Sequence, residues 1–96
     1  MTAYWIVDIN ITNPAAFETY KAKVPGLIAR HGGEYLVVGG AHEVTEGTWQ
    51  PTFLVMVRFP DRTAIHAFLA DPDYAPMKAL RLQTATTHAI VVDGLT

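Results

Sequence analysis

The chain reads as α+β: a ferredoxin-like β-α-β-β-α-β domain with a four-stranded antiparallel sheet. Three observations point there. Two β-branched apolar runs, Glu34–Val38 and residues 52–59, flank a glycine-bearing polar stretch, as neighbouring strands joined by a long hairpin arm do. One helical apolar stripe precedes this pair and another follows it. An alternating run stands near each end of the chain, at Ala3–Ile11 and at residues 88–93. Two right-handed β-α-β crossovers then place strands one and three at the centre of the sheet, with both helices on one face.

In the first strand Trp5, Val7, Ile9 and Ile11 share one face and are expected to be buried. Tyr4, Ile6, Asp8 and Asn10 share the other, which turns from aromatic to polar and is expected to be half-buried. Asn13-Pro14 is a helix start, with a side-chain acceptor at the cap and proline at the first helical position. Phe17, Tyr20, Val24, Leu27 and Ile28 continue at helical spacing. Pro25 removes one backbone hydrogen bond and is expected to kink or split this helix after Lys23 or Val24. Gly32-Gly33 ends it.

Strand two is Glu34–Val38, after which Gly39-Gly40 permits a bulge or sharp bend. Residues 41–50 form a protruding arm turning at Glu46-Gly47, and strand three runs over 52–59. Pro60-Asp61 stops it, with Asp61 as the next cap. Ala64, Ile65, Phe68 and Leu69 make a short amphipathic helix, which Asp71-Pro72 restarts as cap and first-position proline. Tyr74, Met77, Leu80 and Arg81 carry the stripe onward, the last strand is 88–93, and Gly94 ends it.

Ninety-six residues correspond to one domain, 1–96. Half of them are hydrophobic and only 17% charged, which is rich for so small a chain and points to an apolar face covered by a partner. The helices cover one side of the sheet, so a second copy on the other side is the expected cover, giving a homodimeric α/β barrel. The net charge of −2 and the lack of a basic block argue against nucleic-acid binding. With no cysteine, disulfides, thiolate catalysis and Cys-ligated metals drop out. No apolar run approaches the roughly 20 residues of a membrane span, and no signal peptide is visible, so neither membrane attachment nor export is expected and the cytoplasm is the expected location.

The motifs Tyr4-x-Ile6-Val7-Asp8, Asn13-Pro14-x3-Glu18-x-Tyr20 and Lys23-x-Pro25 occur together with Gly32-Gly33-x-Tyr35-Leu36-Val37-x-Gly39-Gly40. Glu46-Gly47-x-Trp49-x-Pro51, Phe59-Pro60, Asp71-Pro72-x-Tyr74 and Leu80-Arg81 follow in register. Together they resemble the bacterial family called domain of unknown function 1330, over nearly the whole chain. The resemblance implies a ferredoxin-like fold and a homodimer of the dimeric α/β barrel type, and no particular activity. The wider superfamily holds cofactor-independent monooxygenases, muconolactone isomerases and haem-binding dismutases, an analogy of fold only. Val38 departs from the pattern, in which arginine often stands between Val37 and the glycine pair.

Asp8, late in the first strand, and His88, early in the antiparallel last strand, are expected near one another on the half-polar side of the sheet. An aspartate there can orient an imidazole as a base; the plainer alternative is a satisfied strand-edge hydrogen bond. Arg58 falls near Tyr4 and Tyr35, where a guanidinium fork suits a carboxylate or enolate; alternatively it snorkels over apolar surface. Tyr20 interrupts an apolar stripe and lines either a cavity or plain core. His31 reads as a helix cap, His66 as a solvated position, and His42 lies on the arm. Nothing has metal-ligand, phosphate-loop or serine-hydrolase spacing, and no cofactor is expected. Trp49 on the arm is expected at the dimer interface. Two functions are open. One is a pocket between helices and sheet, rimmed by Tyr20, Tyr35, Arg58, Asp8 and His88. It would bind a small organic acid or aromatic molecule, with cofactor-free proton transfer or oxygenation as its chemistry. The other is a non-catalytic binding or structural homodimer.

Overall fold

Strand β1 (Ala3–Ile11) alternates as its sequence dictates: Ala3, Trp5, Val7 and Ile9 are buried, while Tyr4, Ile6 and Asp8 are half-buried on the opposite face. The structure, a computed structural model, describes residues 1–96. Helix α1 (Pro14–Arg30) starts where Asn13 accepts a hydrogen bond from the Ala16 N–H at 3.2 Å. It ends in a Schellman turn, in which Gly32 N–H bonds the Ala29 carbonyl, Gly33 N–H bonds Ile28, and Gly32 takes φ +79°.

Strands β2 (Glu34–Val38) and β3 (Leu54–Phe59) follow. Helix α2 (Arg62–Leu69), capped by Asp61 on the Ala64 N–H at 2.8 Å, α3 (Ala75–Thr84) and β4 (Ala85–Asp93) complete the chain. The sheet is antiparallel throughout, in the order β2-β3-β1-β4. This is the ferredoxin-like arrangement, with β1 and β3 central as expected.

The core lies between the helices and the inner sheet face, and it is aromatic. Phe68 packs its ring 4.4 Å from Tyr74, 5.4 Å from Trp5 and 5.9 Å from Phe59, measured between centroids, and Phe17 stacks on Tyr20 at 4.9 Å. The outer face carries no helix. Tyr4, Ile6 and Asp8 of β1, Leu54, Met56 and Arg58 of β3, and His88, Ile90 and Val92 of β4 share it by register. Ile90 and Val92 are 59% and 41% exposed there.

Several local expectations need correcting. Pro25 neither splits nor ends α1, which is one helix through it, with Gly26 alongside. Lys21 and Pro25 are exposed, so solvent can bond the Lys21 carbonyl that lacks its helical donor, while Val24, Leu27 and Ile28 stay buried and hold the helix down. Asp71 caps a turn before the helix instead of the helix itself. Its side chain bonds the Asp73 N–H, its carbonyl takes the Tyr74 and Ala75 N–H groups, and α3 begins at Ala75. Strand β4 starts at Ala85, three residues early, because pairing with β1 extends past the polar Thr86 and Thr87. The β2 bulge sits between Tyr35 and Val37, and Gly39 makes the bend, at φ +62° with its α-carbon against the Phe53 ring.

Candidate functional site

A cavity of about 420 Å³ lies between α1 and the inner sheet face. Trp5, Val7 and Ile9 of β1, Val55 of β3, Tyr35 and Val38 of β2, and Phe53 form its floor and side. Phe17, Tyr20, Lys21, Val24, Pro25 and Ile28 of α1 form its roof. The volume suits a one- or two-ring molecule, and the apolar walls favour an aromatic one. The exposed Lys21, Pro25 and Val38 mark the mouth.

Three polar groups face this space, and no carboxylate lines it. Burial, then the neighbouring Tyr74, pushes the Tyr20 hydroxyl far above its ordinary pKa, and burial pushes Tyr35 up to about 12. Both phenols therefore stay protonated at neutral pH and serve as hydrogen-bonding groups, not as bases. Tyr20 and Tyr74 share one hydrogen bond, 2.9 Å between their oxygens. Two hydroxyls hold two hydrogens, so the pair keeps one for a further acceptor. Lys21 sits at the mouth with its ammonium 5.8 Å from the centre of the Phe53 ring and 3.6 Å from Glu18.

Arg81 of α3 does not line the cavity but is only 6% exposed. One of its terminal nitrogens donates to the Thr87 hydroxyl, its buried Nε has no partner, and it forms no ion pair. Its charge acts on Tyr20, favouring the ionised phenol against the larger effect of burial. Sequence reading placed Arg81 on the helical stripe and missed it as a site residue. The available signal was its spacing with Met77 and Thr84, both buried.

The expected rim is divided between the two sheet faces. Tyr20 and Tyr35 meet at the cavity. Arg58, Asp8 and His88 do not join them, because strand alternation turns them to the outer face. Arg58 stands opposite Tyr4 as expected, but its guanidinium is exposed and bonds Glu34 at 2.6 Å, beside a small cleft of about 170 Å³. Asp8 and His88 are register partners, yet the bonds of Asp8 go elsewhere. Oδ1 accepts the Thr52 N–H at 3.0 Å and Oδ2 accepts the Trp49 indole N–H at 3.1 Å. These bonds, the Thr52 one foremost, hold the Asp8 carboxyl below its ordinary pKa. Trp49 is 61% exposed, so its hydrogen bond ties down the arm while its ring faces solvent.

His31 does more than cap a helix. Its Nε2 meets Asp71 at 2.8 Å, where Arg30 also bonds Asp71 and Asp73, joining the end of α1 to the turn before α3. His66 and His42 are exposed, and no three His, Cys, Asp or Glu residues cluster as metal ligands. No helix is long and apolar enough to cross a membrane.

The family model described as Domain of unknown function (DUF1330) matches residues 2–95. No curated protein matches the chain. Among solved structures, a protein of unknown function from Rhodopseudomonas palustris superposes with a TM-score of 0.80 at 16% identity, over 99% of this chain and 83% of that one. A dimeric ferredoxin-like protein of unknown function from Jannaschia sp. gives 0.78 at 12% identity, over 98% and 100%. SnoaB, a cofactor-independent oxygenase from Streptomyces nogalater, gives 0.69 at 18% identity, over 99% and 94%. At these identities the likeness is one of fold.

Proposed function

The chain belongs to the DUF1330 family, whose activity is unknown, and from its own geometry we propose that it is a homodimer binding a small aromatic molecule between α1 and the sheet. The observation that carries this reading is the cavity of about 420 Å³, walled by apolar and aromatic side chains and supplied with the Tyr20 and Tyr35 hydroxyls. The two hydroxyls orient a ligand oxygen, and burial of the rings supplies affinity. The dimer forms through the outer face, where Ile90 and Val92 are exposed beside Ile6 and Met56, with Trp49 at its edge. That the Jannaschia protein of like fold is dimeric supports a dimer.

A second reading adds chemistry: oxygenation of the bound molecule by molecular oxygen without a cofactor, the substrate itself supplying the electrons, one oxygen atom entering the ring and the other leaving as water. It is supported by the likeness to SnoaB together with the aromatic cavity. In that case Tyr20 and Tyr35, kept neutral by burial, hydrogen-bond the ligand oxygen and favour its enolate or phenolate form.

Calorimetric titration with 1-naphthol tests the binding reading. Saturable binding of one molecule per chain is expected, and Val55→Phe, which fills the cavity from its floor, should remove it while circular dichroism still shows a folded protein. Absence of saturable binding, or binding that the folded Val55→Phe variant retains, would refute it.

A further inference from the structure

The interior beside the cavity holds a cation with no counter-ion. Arg81 is 6% exposed, bonds only the neutral Thr87 hydroxyl, and leaves its buried Nε–H without a partner. A buried guanidinium is normally paired with a carboxylate, and an unpaired one is unfavourable unless something else supplies the negative charge. The position of Arg81 says where that charge would come from. Thr87, its hydrogen-bond partner, stands opposite Ile9, and Ile9 lines the cavity. Tyr20, on which the arginine's charge acts, lines it too. The Tyr20–Tyr74 pair has one hydroxyl hydrogen still to donate. The second cation of the cavity, Lys21, stands at the mouth, and no Asp or Glu lies in the wall between. Lys21 lies 3.6 Å from Glu18, so of the two cations Arg81 is the one left without a carboxylate.

Resting on the binding reading above, we propose that the ligand is an aromatic anion. Its rings lie among Trp5, Phe17 and Phe53, and a carboxylate or enolate oxygen accepts from the Tyr20 hydroxyl, with the charge of Arg81 behind it. Arg81 is a positioning residue in this arrangement, acting through Tyr20 and the field of the site, not by contact. The low dielectric of the surroundings lets its charge act across Tyr20.

Two ligands of matched size separate this inference from the reading it rests on: naphthalene-1-carboxylate and the neutral 1-naphthamide, titrated into the wild type and Arg81→Met. The wild type should bind the carboxylate about ten-fold or more tightly than the amide. Arg81→Met should lose that preference and keep its affinity for the amide. Equal binding of both by the wild type overturns the anion inference and leaves the cavity's role intact. Binding of neither overturns both. If Arg81→Met does not fold, the Nε–H resonance of Arg81 in the wild type decides: it should shift on adding the carboxylate and stay still with the amide, and the absence of a carboxylate-specific shift overturns the inference.

Discussion

The two faces of the sheet use polar groups in opposite ways. On the outer face the charges already have partners from the same chain: Arg58 has Glu34, and Asp8 has Thr52 and Trp49. On the inner face polar groups are few and incompletely matched: Tyr20 and Tyr74 share one bond between two hydroxyls, and Arg81 has an idle Nε. Abundance of polar groups is therefore a poor guide to a site. Capacity left unused, next to space, is the better one.

The contrast can be broken in three places. The largest effect should come from Phe68→Ala on the inner side, because that ring packs on Trp5, Phe59 and Tyr74 and is fully buried. A loss of about 3–5 kcal/mol is expected from urea unfolding. On the outer face Asp8→Asn should be far milder, about 1 kcal/mol at most, since solvent competes for both bonds it weakens. Its signature is local, faster hydrogen exchange of the Trp49 indole N–H as the arm loosens. Acid acts in the same direction. The folded Asp8 pKa lies below its ordinary 3.8, so this carboxylate's contribution is complete above that value and disappears as pH falls through the lower folded one. Smallest of all should be Arg58→Ala, whose exposed ion pair is worth little. Its unfolding midpoint and its affinity for 1-naphthol should match the parent, and a loss of affinity would return Arg58 to the binding site.

Most of the fold was legible because its signals are local. The Asn13-Pro14 start, the Gly32 stop, the Asp61 cap and the alternation of β1 each depend on a few adjacent residues. Pro25 misled because tertiary packing of Val24, Leu27 and Ile28 outweighs one missing bond. For the site, register alone was enough to pair Asp8 with His88. Sidedness was also available: Val55, Val57 and Phe59 point inward, so Arg58 between the last two must point outward. Proximity along the sheet without that parity puts Arg58 beside Tyr35, on the wrong face. The tether from Trp49 to Asp8 was out of reach, because the arm has neither period nor regular structure from which to place it.

Pro25 and Gly26 have one more consequence. Proline leaves α1 a bond short, glycine is the weakest helix former of the ordinary residues, and together they sit on the turn that roofs the cavity. A helix opens first where it is least cooperative. An occupant of the cavity would lie beneath that turn, and its binding should slow amide hydrogen exchange there more than in the rest of α1.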